Sequence, residues 1–164
     1  MNNRIVCIYF SRTGNTRQAM TEIAEALDCE LVEVHDKRKR SGAIGWLRCG
    51  LDAMRKKTRA MTRVETRLAL RDYDLVILGT PIWAGRCSSV IRGLLKRRGS
   101  EMTNVAYVIT HKSEKPYKEV YRQMDQYLHT PHIADVSLRL GDAGYHFWRD
   151  QFIKTCSDFA ANKG

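Results

Sequence analysis

The chain predicts a doubly wound α/β fold, a five-stranded parallel sheet held between two layers of helices. Two observations carry that expectation. Short apolar runs rich in β-branched residues alternate with amphipathic helical patterns along the whole chain. The connections between them are short, except for one between about 36 and 72. At 164 residues the chain suits a single domain spanning 1–164, long enough to bury a continuous core.

The elements follow in order. Residues 4–10 (RIVCIYF) read as a strand buried on both faces, as parallel sheets require. A helix follows over 15–27, with Met20, Ile23, Ala24 and Leu27 on one side. Residues 30–34 form the second strand and 74–80 (DLVILGT) the third, which leads into a helix carrying Val90, Ile91, Leu94 and Leu95. The fourth strand is 104–110 (NVAYVIT), and the helix after it groups Tyr117, Val120, Tyr121, Met124 and Tyr127. A fifth strand at 132–138 and a helix carrying Trp148, Phe152, Cys156 and Phe159 close the chain. There is no internal repeat, low-complexity tract or linker to suggest a second domain.

The start, MNNRIVCIYF, is interrupted too early to read as a signal peptide, and no apolar run approaches the roughly 18–20 residues of a bilayer crossing. No transmembrane segment is therefore expected, and the expected location is the cytoplasm. Five cysteines without CxxC or zinc spacing are expected to be free thiols, mostly in the core, with no metal site. The net charge of +10 is unevenly spread: 37–63 carries +9 of it, with ten basic residues against the single acid Asp52.

In an open parallel sheet, ligands sit beyond the carboxyl ends of the strands. After the first strand comes Ser11-Arg12-Thr13-Gly14-Asn15-Thr16, running straight into a helix. Three hydroxyls, a glycine that lets backbone approach closely, and the free amides of a helix start suit a phosphate. The loop is neither a Walker loop nor a GxGxxG fingerprint, and a Ser/Thr-capped helix is the plain alternative. After the third strand, Gly79-Thr80-Pro81-Ile82-Trp83-Ala84-Gly85 places a large aromatic at a loop tip. Trp83 either stacks on a planar heterocycle there or folds back into the core.

These two segments, SRTGNT and GTPIWAG followed by a helix, resemble the phosphate and ring-flanking loops of the flavodoxin-like FMN proteins. The resemblance implies strand order 2-1-3-4-5 and one non-covalently bound FMN. It assigns the phosphate to Ser11, Arg12, Thr13, Gly14, Asn15 and Thr16, and the ring to Pro81, Ile82, Trp83, Ala84 and Gly85. Thr110 and His111 would open the third loop. That loop continues Lys112-Ser113-Glu114-Lys115, basic and without an aromatic before Tyr117, where acidic flavodoxins usually carry a stacking aromatic.

Cations beside a flavin favour its two-electron reduction, whereas an acidic surround suits one-electron traffic. Arg86, His111 and Lys112 therefore point to a two-electron oxidoreductase. It would take hydride or electrons from NAD(P)H or a redox partner and pass them to a quinone-like acceptor. A flavodoxin-type one-electron carrier and a non-catalytic binding protein on the same fold are the alternatives. No catalytic acid or base is required, and His111 is the one candidate proton donor. The basic helical insertion at about 37–63 suits an acidic protein partner, an anionic membrane surface, the extra phosphate of NADPH, or a merely solvated face. It carries no nucleic-acid motif, and a nucleic-acid partner is not expected.

Overall fold

The structure, a computed structural model, describes residues 2–36 and 63–164. Of the basic insertion only the exposed Arg63 falls among them; the rest lies outside the described residues. Strand β1 (Asn2–Tyr9) lies between β2 (Cys29–Glu33) and β3 (Leu75–Trp83), and β5 (Val105–Thr110) and β6 (Ala134–Leu138) continue the sheet beyond β3. The order is thus β2-β1-β3-β5-β6, all pairs parallel, which is the expected five-stranded arrangement. A two-residue strand, β4 (Arg86–Cys87), adds to it by pairing antiparallel with the far end of β3.

The all-apolar strands are explained by what covers them. Alternate residues of a strand face opposite sides of the sheet. Val6, Ile8, Val76, Leu78, Tyr107 and Ile109 meet Val90, Ile91 and Leu94 of α2 (Ser89–Arg98) and Val120 and Met124 of α3 (Lys118–Asp125). Ile5, Cys7, Leu75, Ile77 and Val108 meet Met20, Ile23 and Leu27 of α1 (Asn15–Leu27) and Phe152 and Cys156 of α4 (Tyr145–Ala161). Both faces being covered, neither can be polar, and no strand of the centre shows a period of two.

Two details bear on the site. Helix α1 lies so close to β3 that a Cβ at Gly79 would fall 2.5 Å from Met20 Cγ, so any larger residue there would force the Met20 side chain to move. Edge strand β6 turns Val136 and Leu138 into the α1/α4 core and leaves Asp135 and Ser137 exposed on the opposite face. Cys7, Cys29, Cys87 and Cys156 are free and buried, and Cys49 lies outside the described residues. Among the described residues no helix is long and apolar enough to cross a membrane.

Candidate functional site

Three chain segments leave the carboxyl ends of β1, β3 and β5 and converge on one cleft of about 330 Å³. This is the edge at which the winding direction reverses, with β2 added on one side of β1 and β3 on the other.

The first segment turns at Gly14 (φ 98°) into α1. The Ser11 hydroxyl oxygen accepts from the Gly14 N–H (3.1 Å) and the Arg17 N–H (3.2 Å), so its lone pairs shape the turn and its proton is what it has left to donate. The capping residue is glycine and the first turn holds no acid; Ser11 takes the Arg17 amide, and the amides ahead of it lie at the positive end of the helix, where an anion is favoured. Thr13 is exposed at the cleft lip. Thr16 is buried on its floor, its Oγ1 2.7 Å from that of Thr110. One hydroxyl of that pair donates to the other, which leaves one proton for a ligand.

The second segment, expected as a loop, is a hairpin. Strand β3 runs on to Trp83, turns at Ala84 and Gly85, and returns as β4, with Ile82 opposite Cys87 and Trp83 opposite Arg86. Both turn residues have positive φ, 49° and 68°, as a two-residue type I′ turn requires if it is to follow the strand twist. Gly85 adopts this freely; Ala84 does so against a preference of about 1–2 kcal/mol. The base of the hairpin is stapled: the Ser88 N–H donates to Thr80 Oγ1 (2.9 Å), and Ser88 Oγ accepts from the Ile91 N–H (3.2 Å) to cap α2. Trp83 is partly folded back on the core and partly open to the cleft. Its ring meets Phe10 edge-on at 5.9 Å and packs on the α2/α3 core, and it also lines the cleft.

The third segment brings Thr110, His111, Lys112, Ser113 and Tyr117 to the cleft. His111 Nδ1 lies 2.6 Å from the Ser113 carbonyl, which can only accept. In the neutral ring Nε2 is then the acceptor for the Ser137 hydroxyl. Burial lowers the His111 pKa and keeps the ring neutral. Both nitrogens are occupied, so neither stands ready to hand a proton to a ligand. The Tyr117 ring sits 4.9 Å from the imidazole.

Of the expected site residues, Arg12, Thr13, Asn15, Thr16, Pro81, Ile82, Trp83, Ala84, Thr110 and His111 line the cleft. Ser11, Gly14 and Gly85 do not: the first two form the turn behind it, and Gly85 sits exposed at the hairpin tip. Tyr117 packs against the α2/α3 core, as the helical spacing led one to expect, and it also lines the cleft. Helix α3 begins only at Lys118, which leaves Tyr117 half-buried at its cap, where it supplies the aromatic that the third loop otherwise lacks. The cleft walls carry two cations, Arg12 and Lys112, and no carboxylate among the described residues. Arg86 faces elsewhere, donating weakly to Gln123 Oε1 (3.4 Å).

Among solved structures, a protein from Bacteroides uniformis assigned as a flavoprotein is 22% identical with a TM-score of 0.74, over 94% of this chain and 99% of that one. A flavoprotein from Lactobacillus acidophilus in complex with FMN is 19% identical (TM-score 0.65, 89% and 98%). Oxidised flavodoxin 2 from Bacillus cereus is 18% identical (TM-score 0.52, 98% and 99%). No family model matches the chain, and no curated protein matches its sequence. The fold is flavodoxin-like.

Proposed function

We propose that the cleft binds FMN and that the chain is a cytoplasmic two-electron oxidoreductase, taking reducing equivalents from NAD(P)H or a redox partner and delivering them to a quinone-like acceptor. The residues present suit the cofactor. A dianionic phosphate matches the open α1 amides, the Thr13 hydroxyl, the one outward proton of the Thr16–Thr110 pair and the Arg12 guanidinium. A planar ring matches Trp83 and Tyr117, with Pro81, Ile82 and Ala84 as apolar neighbours. The FMN held by the Lactobacillus protein of the same fold supports this reading.

FMN bound there would supply the electron-pair transfer that side chains do not. The chain would bind its phosphate, hold its ring between loop residues and set the field around it. The observation that supports the two-electron reading is that, among the described residues, the cleft is lined by Arg12 and Lys112 and by no carboxylate. Such a field stabilises negative charge gained on full reduction. His111, neutral and bonded on both nitrogens, is a structural member of the third loop.

The test is a purification followed by photoreduction. Released cofactor should comigrate with FMN, and the bound flavin should bleach in a single spectral transition. FAD, or a protein that rejects FMN, overturns the cofactor; a third spectral species that accumulates midway overturns the two-electron reading in favour of a one-electron carrier.

A further inference from the structure

Two of the buried cysteines touch. Cys7 of β1 and Cys29, the first residue of β2, bring their sulfurs to 3.6 Å at the edge of the sheet. Cys156 of α4 belongs to the same core layer, whereas Cys87 sits in the layer on the other face. Neither Cys7 nor Cys29 lines the cleft.

The two thiols in contact are unlike. Cys7 is 0% exposed and Cys29 9%, where α1 gives way to the edge strand, so Cys29 is the sulfur that solvent approaches. With the Cys7 S–H donating to it, Cys29 sits below the ordinary thiol pKa, in spite of burial and the Asp28 and Glu30 charges. The same bond, and then burial, push Cys7 well up; burial pushes Cys87 and Cys156 up as well. Among the described residues Cys29 is thus the one thiol inclined to the thiolate, and a second thiol is already against it. The backbone there has room to give. The β1–β2 register is irregular between Asn2 and Val6, where Cys29 pairs. Closing the sulfurs from 3.6 Å to the ~2.05 Å of a disulfide takes side-chain rotation and a small shift of an edge strand that has no continuous ladder at that point.

We infer that Cys7 and Cys29 are a reversible dithiol–disulfide pair, a site of oxidation by hydrogen peroxide. The Cys29 thiolate attacks one peroxide oxygen and the O–O bond breaks. The departing hydroxide takes up a proton to become water, and Cys29 is left as a sulfenic acid. The Cys7 sulfur then attacks the Cys29 sulfur and the S–O bond breaks, the Cys7 proton leaving with the hydroxide as a second water. Two electrons pass from the two thiols to the peroxide. The disulfide encloses the whole of α1, and the turn at 11–16 that opens it, in a closed loop of chain. Where thiols are ordinarily kept reduced, disulfides of this kind are mostly transient and redox-sensing. No flavin is needed for this chemistry.

The experiment treats the reduced, folded, full-length protein with equimolar hydrogen peroxide, alkylates the remaining thiols in denaturant and maps the peptides by mass spectrometry. Two of the five thiols should be lost to one cross-link joining Cys7 to Cys29, and dithiothreitol should restore both. In Cys7→Ala the sulfenic acid has lost its partner, so dimedone should label Cys29. The wild-type map decides the matter even if that core variant fails to fold. Five thiols that all survive, a cross-link between any other pair, or a Cys7–Cys29 link that forms only after unfolding overturns the proposal. So does a Cys7→Ala protein, folded by circular dichroism, that dimedone leaves unlabelled at Cys29.

Discussion

The Thr16–Thr110 pair allows the phosphate reading to be separated from a purely structural one. The two hydroxyls lie 2.7 Å apart, in side chains only 1% and 3% exposed, and tie the start of α1 to the end of β5 across 94 residues of chain. Thr16→Val keeps the shape but strands the Thr110 hydroxyl, which should cost about 1–3 kcal/mol, toward the low end because Thr110 touches the cleft. Each kcal/mol lowers Tm by about 2–4 °C for a domain of this size. Adding Thr110→Val replaces the bond with methyl contact, so the double variant should recover most of that loss rather than double it. Phosphate binding responds differently. The double variant has no proton to donate, and losing one hydrogen bond to a charged group costs about 1.5–3 kcal/mol, or ten- to a hundredfold in FMN affinity. Riboflavin, which lacks the phosphate, should bind as before. Flavin fluorescence titrations and denaturant melts of the two singles and the double read both effects. An unchanged FMN-to-riboflavin affinity ratio in the double variant would refute the phosphate assignment. Stability losses that simply add would refute the coupling.

Three further outcomes are expected. Ala84→Gly relieves about 1–2 kcal/mol of left-handed strain at the hairpin and gives back about 0.4–1 in unfolded-state entropy, so Tm should rise by a few degrees; a fall would contradict the positive φ of 49°. At His132, burial lowers the pKa, but the hydrogen bonds to Asp135 and Asp125 outweigh it and raise the value above 6.5. Its stabilisation is therefore complete below pH 6.5 and lost as pH rises through the raised value; thermal melts should show that decline in the wild type and a flatter profile in His132→Asn. The third outcome tests the basic insertion, proposed as a docking surface for an acidic redox partner or for the electron donor itself. Reversing Arg55, Lys56 and Lys57 to Glu should slow reduction by the donor several-fold at low salt and leave FMN affinity intact. Stopped-flow rates insensitive to both salt and reversal, with NADH, NADPH and any cognate partner, would leave the segment a solvated face.

How much of this was legible in the sequence can be judged residue by residue. Runs such as RIVCIYF and DLVILGT declared central strands because both faces are covered, and burial on both faces leaves its mark directly in composition. The two cleft-lining segments were legible for a related reason: a loop after a parallel strand must lie at the carboxyl edge, so SRTGNT and GTPIWAG could only arrive at one rim of the sheet. Helical spacing placed Tyr117 with Val120 and Tyr121, against whose core it does pack, but did not reveal that α3 begins one residue later and that Tyr117 also lines the cleft. Nor did spacing show that the chain would turn back after GTPIWAG and pair Ile82 and Trp83 with Cys87 and Arg86, which depends on two positive φ values in sequence.

What the chain determined by itself is therefore its layer order and the rim of the sheet at which its cleft lies, because strand burial and the direction of winding are encoded locally and repeat along the chain. What only the tertiary structure decided is which side chains are already spent. The Ser11 oxygen accepts from its own turn, Thr16 and Thr110 share one bond and keep one proton between them, and His111 is held by Ser113 and Ser137. Hydrogen bonds depend on distances of a few tenths of an ångström between elements far apart in sequence, and no pattern of residue types along the chain carries that information.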